Sequence, residues 1–124
     1  MRLAIVSDVH GNARGLQACL DDLEAQGGAD LLVGAGDYCM DGPRPRDVLD
    51  ILADHAAQCV RGNTDRYIAS TPLEDLEDDE VSAITWQREQ LGETWLAWLG
   101  RLPASLRFGD RHKLLVVHAN PRND

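Results

Sequence analysis

Positive charge, cysteine and long apolar runs are all scarce in this chain, and each shortage removes a class of function. Lysine and arginine number 12 against 21 aspartates and glutamates, a formal net charge of −9 over 124 residues, with no basic run. Holding nucleic acid or an anionic membrane through phosphates depends on Lys and Arg, so neither is expected as the main partner. No apolar stretch is long enough to span a bilayer. The sequence opens directly on an apolar strand without a leader-like segment, and the expected compartment is the cytoplasm. The three cysteines are an odd number without Cys-x-x-Cys, so neither a disulfide framework nor a zinc ribbon follows. Cys19 and Cys59 fall on apolar faces and read as core. Cys39 has no base beside it in sequence and reads as a bystander, not a nucleophile. Gly-x-Gly-x-x-Gly and the P-loop are absent too.

What is present is a set of strand ends. Leu3 to Val6 reads as a short buried strand running into Ser7-Asp8-Val9-His10-Gly11-Asn12. Side chains two apart on a strand share a face, so Asp8 and His10 are expected to converge. Aspartate oxygen with histidine nitrogen suits Zn, Mn or Fe. A second apolar strand, Leu31 to Ala35, ends in Gly36-Asp37. A third, around Cys59 to Arg61, ends in Gly62-Asn63-Thr64-Asp65. A fourth, Leu114 to Val117, ends in His118-Ala119-Asn120-Pro121. Ligands of open α/β sheets bind at that carboxyl edge. Scattered surface carboxylates would not line up with four strand ends.

Asp8-Val9-His10-Gly11-Asn12, Gly36-Asp37, Gly62-Asn63 with Asp65, and His118, in that order, resemble the motifs of the calcineurin-like metallophosphoesterases. Among these the small bacterial phosphodiesterases are the most similar type. The likeness extends through the helical insert containing Thr85-Trp86-Gln87-Arg88-Glu89-Gln90-Leu91. It implies an α/β fold, a metallophosphoesterase-like sheet with flanking helices forming half of a four-layer α/β/β/α sandwich. It also implies two divalent metal ions, with Asp8 and His10 on the first, Asp37 bridging both, and Asn63 and His118 on the second. Asp37, Asn63 and His118 carry the catalytic roles in this picture. A metal pair roughly 3.5–4 Å apart polarises a phosphoryl group and activates a bridging water as the nucleophile. The implied substrate is a small phosphate mono- or diester. Mn, Fe, Zn, Co and Ni all suit such oxygen and imidazole ligands.

Two departures from the family pattern stand out. Thr64 occupies the place where the family commonly carries His, and its hydroxyl is not acidic near neutral pH. General acid catalysis is typically worth about 10²–10⁴-fold, so good leaving groups should suffer least from this change. The family also continues into a second sheet and a Gly-His-x-His motif that completes the site, and no such motif occurs here. His55 falls in a helical pattern and His112 in a turn, leaving three protein ligands per metal. Open catalytic sites hold metals with three. The expectation is a single domain over 1–124, incomplete at its C-terminal end, completed by a missing segment or a homodimer, or else serving as a binding or subunit module with little turnover. A haloacid-dehalogenase-type phosphatase would want Asp-x-Asp where Asp8-x-His10 stands.

The remainder alternates strand and helix. Asn12 to Gln26 carries Leu16, Cys19, Leu20 and Leu23 at helical spacing, closed by Gly27-Gly28. Pro43-Arg44-Pro45 opens a second helix with Val48, Leu49, Leu52 and Ala56 facing inward. A β-α-β-α-β order predicts a parallel sheet. Residues 65–103 form a helical insert whose acidic start, Glu74 to Glu80, reads as capping. Trp95 and Trp98 lie i, i+3 near Leu91, Leu99 and Leu102 and read as core rather than as a base-stacking platform. Arg44 and Arg46 are candidates for meeting substrate phosphate. Leu106 to Phe108 and Leu114 to Val117 flank Gly109-Asp110, a hairpin signal.

Overall fold

A computed structural model describes residues 1–110, 114–120 and 122. Three strands, β1 (Leu3–Val6), β2 (Leu31–Gly34) and β3 (Gln58–Cys59), form a parallel sheet in that order. Leu3 pairs with Leu31 and Val6 with Gly34, while β3 joins at Val33 and Gly34. Connecting them are α1 (Ala13–Ala25) and α2 (Pro45–Asp54), so the expected βαβ order holds. The third strand is shorter than its apolar pattern suggested, stopping at Cys59.

The helices begin and end where local chemistry dictates. Asn12 accepts a hydrogen bond from the Gly15 N–H at 2.9 Å, capping α1. At its other end the Gly28 N–H reaches the Leu23 carbonyl and the Gly27 N–H the Glu24 carbonyl, a Schellman closure. Pro45 starts α2, where its missing N–H costs no helical bond. After β3 come α3 (Asn63–Ser70), a 3₁₀ turn at Leu73–Asp75, and α4 (Asp78–Arg101), broken at Gly92. The insert therefore starts at Asn63, two residues before the sequence pattern suggested. The Glu80 carboxylate accepts from the Glu77 N–H at 3.0 Å and from the Tyr67 hydroxyl at 2.9 Å, so the acidic run does cap α4.

Strand alternation gives the sheet two apolar faces with different cover. All four α-helices pack on one face, where Leu16, Leu20, Val48, Leu49, Leu52, Ile68, Ile84, Leu91 and Leu99 are buried with Leu32 and Cys59. Trp95 and Trp98 stack edge-on with centroids 5.4 Å apart, and the Trp95 indole N–H donates to Asp50 of α2. They are packing residues, as their spacing indicated. On the other face lie Val33, Ala35 and Val60 with Val116. Val116 belongs to β5 (Leu114–Val117), which pairs with β4 (Ser105–Phe108) as an antiparallel hairpin. The last strand is thus not a fourth member of the parallel sheet. It sits across the sheet's face in a second layer, the start of the β/β half of the sandwich.

Two core assignments are corrected. Cys19 is exposed because Ala13, Leu16, Leu20 and Leu23 form a narrow stripe, and at 100° per residue Cys19 turns to its flank. Ala56 is also exposed, since α2 ends at Asp54 and Ala56 takes a left-handed backbone (φ 49°) in the turn to β3. Leu49→Ala should destabilise the fold by about 2–5 kcal/mol in urea unfolding. Cys19→Ala should shift stability by less than about 0.5 kcal/mol in the same assay.

Candidate metal centre

Beyond their last paired residues, the chains leaving β1 and β2 stay zipped together. The Ala35 N–H donates to the Val6 carbonyl, Asp8 N–H to Gly36, His10 N–H to Asp37 and Gly11 N–H to Tyr38, all at 2.8–3.0 Å. These loop bonds, not strand alternation, bring Asp8 and His10 opposite Asp37. Both residues lie past the strand, and their backbones are left-handed, with φ of 55° and 46°. Asp37 is left-handed as well, at 58°. Such conformations cost a non-glycine residue of order 1–3 kcal/mol and persist only where surrounding bonds enforce them.

The five side chains expected at one spot do meet. Ligand atoms of Asp8, His10 and Asp37 all lie within 4.8 Å of one another. His10 Nε2 stands 3.8 Å from Asp8 Oδ1 and 3.6 Å from Asp37 Oδ2. His118 Nε2 approaches the same Asp37 Oδ2 at 3.4 Å, and Asn63 Oδ1 lies 3.0 Å from His118 Nε2. Asp37 is central and buried, while Asp8 opens to solvent. The other Asp37 oxygen, Oδ1, accepts the Thr64 N–H at 3.0 Å. One oxygen is therefore fixed, and the second stands between two imidazoles.

The donor set fits cations. His10 Nδ1 lies 3.1 Å from the Cys39 carbonyl and His118 Nδ1 lies 2.8 Å from the Ala35 carbonyl. A carbonyl only accepts, so in the neutral rings Nδ1 carries the hydrogen and Nε2 presents a lone pair. Those lone pairs face the oxygens of Asp8, Asp37 and Asn63. Acceptors facing acceptors repel unless a cation lies among them, and orienting the far ring nitrogen on a carbonyl is how metal-binding histidines are held.

Glycine permits the close approach. A Cβ at Gly62 would collide with the Asp37 carboxylate and backbone nitrogen, and one at Gly36 would come within 2.6 Å of His118 Nδ1. Asp65, one turn into α3, is fully buried and accepts N–H bonds from Asp37 at 2.8 Å, Tyr38 at 3.0 Å and Gly62 at 2.9 Å. Burial raises the pKa of its carboxyl, and the three backbone N–H groups oppose that rise without cancelling it. Tyr38, buried beneath the centre, donates its hydroxyl to the Val60 carbonyl and receives the Gly36 N–H.

The calcineurin-like phosphoesterase family model matches residues 1–123. The chain belongs to the calcineurin-like phosphoesterases. A metallophosphoesterase from Sphaerobacter thermophilus is 32% identical, superimposes with a TM-score of 0.72, and is matched over 89% of this chain and 44% of its own. A hypothetical protein from Pyrococcus horikoshii gives 0.78 at 20% identity, over 92% of this chain and 53% of its own, and shows the fold alone. An uncharacterised protein of Methanocaldococcus jannaschii is 26% identical over 123 residues, 98% of this chain and 50% of that protein. The chain spans about half the length of these relatives. Asp8, His10 and Asp37 form a candidate site for a metal ion.

In this calcineurin-like phosphoesterase the remaining sequence candidates separate clearly. Thr64 offers the centre its backbone N–H, while its hydroxyl is buried with no hydrogen-bond partner among the described residues. Cys39 contributes its carbonyl to His10, and its buried thiol is pushed well above the ordinary thiol pKa by desolvation. Arg44 pairs with Asp47 at the surface, 3.4 Å apart, and Arg46 is exposed. His55 caps the end of α2 and bonds the Ile51 carbonyl, before β3 begins and not after it. His112 lies outside the described residues. Asp65 belongs to the motif that carries the family likeness and Gln87 to the insert stretch that extends it, but the sequence assigned neither a role. Gln87, buried on α4, accepts the Met40 N–H at 3.3 Å just past Asp37. The Gly62-x-x-Asp65 spacing, half of a capping box, is the signal that would have pointed to Asp65.

A raised pKa means less thiolate. Native protein at pH 8 should accordingly expose Cys19 alone to a disulfide reagent such as DTNB, with Cys39 and Cys59 reacting only after denaturation. Three fast thiols would contradict this packing.

Proposed function

We propose that this chain carries the metal-binding portion of a phosphoesterase that hydrolyses a phosphate mono- or diester. In this reading Asp8 and His10 hold a first divalent ion, Asp37 Oδ2 is shared, and Asn63 and His118 hold a second. The observation that carries it is the meeting of five acceptor groups from four strand ends. Bound metal ions would supply Lewis-acid polarisation of the phosphoryl group and a water of lowered pKa. The residues supply the rest. Cys39 and Ala35 carbonyls orient the two imidazoles, and Thr64 N–H restrains one Asp37 oxygen so that the other is left for sharing.

No proton donor stands at Thr64, so departure of the leaving oxygen depends on its own stability. Phenolic esters such as bis-p-nitrophenyl phosphate should turn over far faster than alkyl esters, with a steep dependence of rate on leaving-group pKa. A flat dependence would mean that another residue acts as general acid. The compartment proposed is the cytoplasm. Among the described residues no helix is long and apolar enough to cross a membrane.

A second reading is a subunit that binds metal and turns over little until a further segment or a second copy completes the site. Ile5 and Leu114 leave apolar side chains exposed, as such an arrangement would need. Metal content by mass spectrometry after reconstitution with Mn²⁺, run beside bis-p-nitrophenyl phosphate hydrolysis, separates the two. Two ions with turnover support the enzyme, and ions without turnover support the subunit. Asp37→Asn should remove bridging and activity together. His10→Ala should empty the first site more than the second, and Asn63→Ala the reverse. Metal counts unchanged in all three variants would show that these residues are not the ligands.

A further inference from the structure

We propose that Asp65 is the positioning residue of the centre, its buried carboxylate tying the loop that carries Asp37 to the start of the helix that carries Asn63 and so setting the separation of the two metal positions. This rests on the metal-centre reading above. Asp65 is fully buried, and its oxygens are taken by backbone. Oδ2 receives the N–H groups of Asp37 and Gly62, at 2.8 and 2.9 Å, and Oδ1 receives that of Tyr38 at 3.0 Å. The exchange is reciprocal, because the Asp37 carboxylate accepts the Thr64 N–H from the first turn of the same helix at 3.0 Å. Each segment thus gives a carboxylate to the other's backbone.

The consequence falls on Asp37 Oδ2. Asp37 keeps a left-handed backbone (φ 58°), and the Asp65 bond to its N–H is one of the contacts that enforces it. Loss of that bond frees the peptide to rotate, and Oδ2 moves relative to His10 and His118, now 3.6 and 3.4 Å away. Asparagine is nearly the same size as aspartate but has only one acceptor oxygen. With its oxygen in place of Oδ2 its NH₂ group faces the Tyr38 N–H, which belongs to the peptide after Asp37. Turned over, it faces those of Asp37 and Gly62, so either way a peptide flanking Asp37 loses its bond.

The test reads metal binding and magnetic coupling rather than turnover. Wild-type protein titrated with Mn²⁺ should bind two ions per chain and give the multiline electron paramagnetic resonance spectrum of an exchange-coupled pair. Asp65→Asn should weaken binding of the second ion at least tenfold and replace the coupled spectrum with the six-line signal of isolated Mn²⁺. Leu20→Ala, a core truncation on α1, serves as the control for general destabilisation and should retain the coupled spectrum. Unchanged affinity and coupling in Asp65→Asn overturn the proposal. So does loss of coupling in Leu20→Ala to the same extent, because the effect would then be general loosening. A wild type that binds no pair overturns the dinuclear reading and this inference with it. Should circular dichroism show Asp65→Asn unfolded, the same two readings on Asp65→Glu, which keeps both oxygens but displaces them by one methylene, decide.

Discussion

Parallel pairing between β1 and β2 does not stop where the strands stop, and the centre depends on that continuation. Four further backbone bonds, from Ala35 to Val6 and on to Gly11 and Tyr38, hold the two loops side by side. Left-handed turns at Asp8, His10 and Asp37 fold the side chains back over the sheet edge. Those turns are unfavourable in isolation. They are tolerated because each is bracketed by hydrogen bonds that a relaxed loop would lose.

Packing beneath the loops serves the same end. Tyr38 spans from Gly36 to Val60 and ties the ends of β2 and β3 through a single buried hydroxyl. Gln87 holds the Met40 N–H from α4, so the helical insert is joined to the loop after Asp37. Arg88 in turn bonds the Ile68 and Thr71 carbonyls at the end of α3, at 2.8 and 2.6 Å. Within the insert, α4 is therefore a brace against the helix that carries Asn63. These bonds use neutral or singly charged groups in partly buried surroundings, where satisfied polar contacts rigidify the structure and broken ones are costly.

His118 reaches the centre by a different route from the other ligand candidates. It follows β5 of the hairpin layer, which covers the sheet face opposite the helices through Val116, Leu106 and Phe108. Its ring is then anchored to the Ala35 carbonyl of the first sheet. The placement of His118 thus depends on how the two sheets stack, whereas that of Asp8, His10 and Asp37 depends on loops within one sheet.

The sequence by itself determined the parallel βαβ order, the helix stripes and caps, and which polar residues, Asp8, His10, Asp37, Asn63 and His118, follow the strands. Each of these is written in local information: apolar runs of strand length, 3.6-residue periodicity, and a polar residue at a strand's end. Where a local rule was applied beyond its range it misled, as with Cys19 at the flank of a narrow stripe and Ala56 beyond the end of its helix. Tertiary structure alone decided that β5 lies in a second layer and that the Asp8–His10 convergence comes from zipped left-handed loops. It also decided that Asp65 faces inward to hold three N–H groups. The physical reason is common to all three. Each outcome depends on hydrogen bonds or packing between segments about 27 or more residues apart, as in the Asp37–Asp65 and Ala35–His118 contacts, and no periodicity in a single stretch encodes which distant partner satisfies a given polar group.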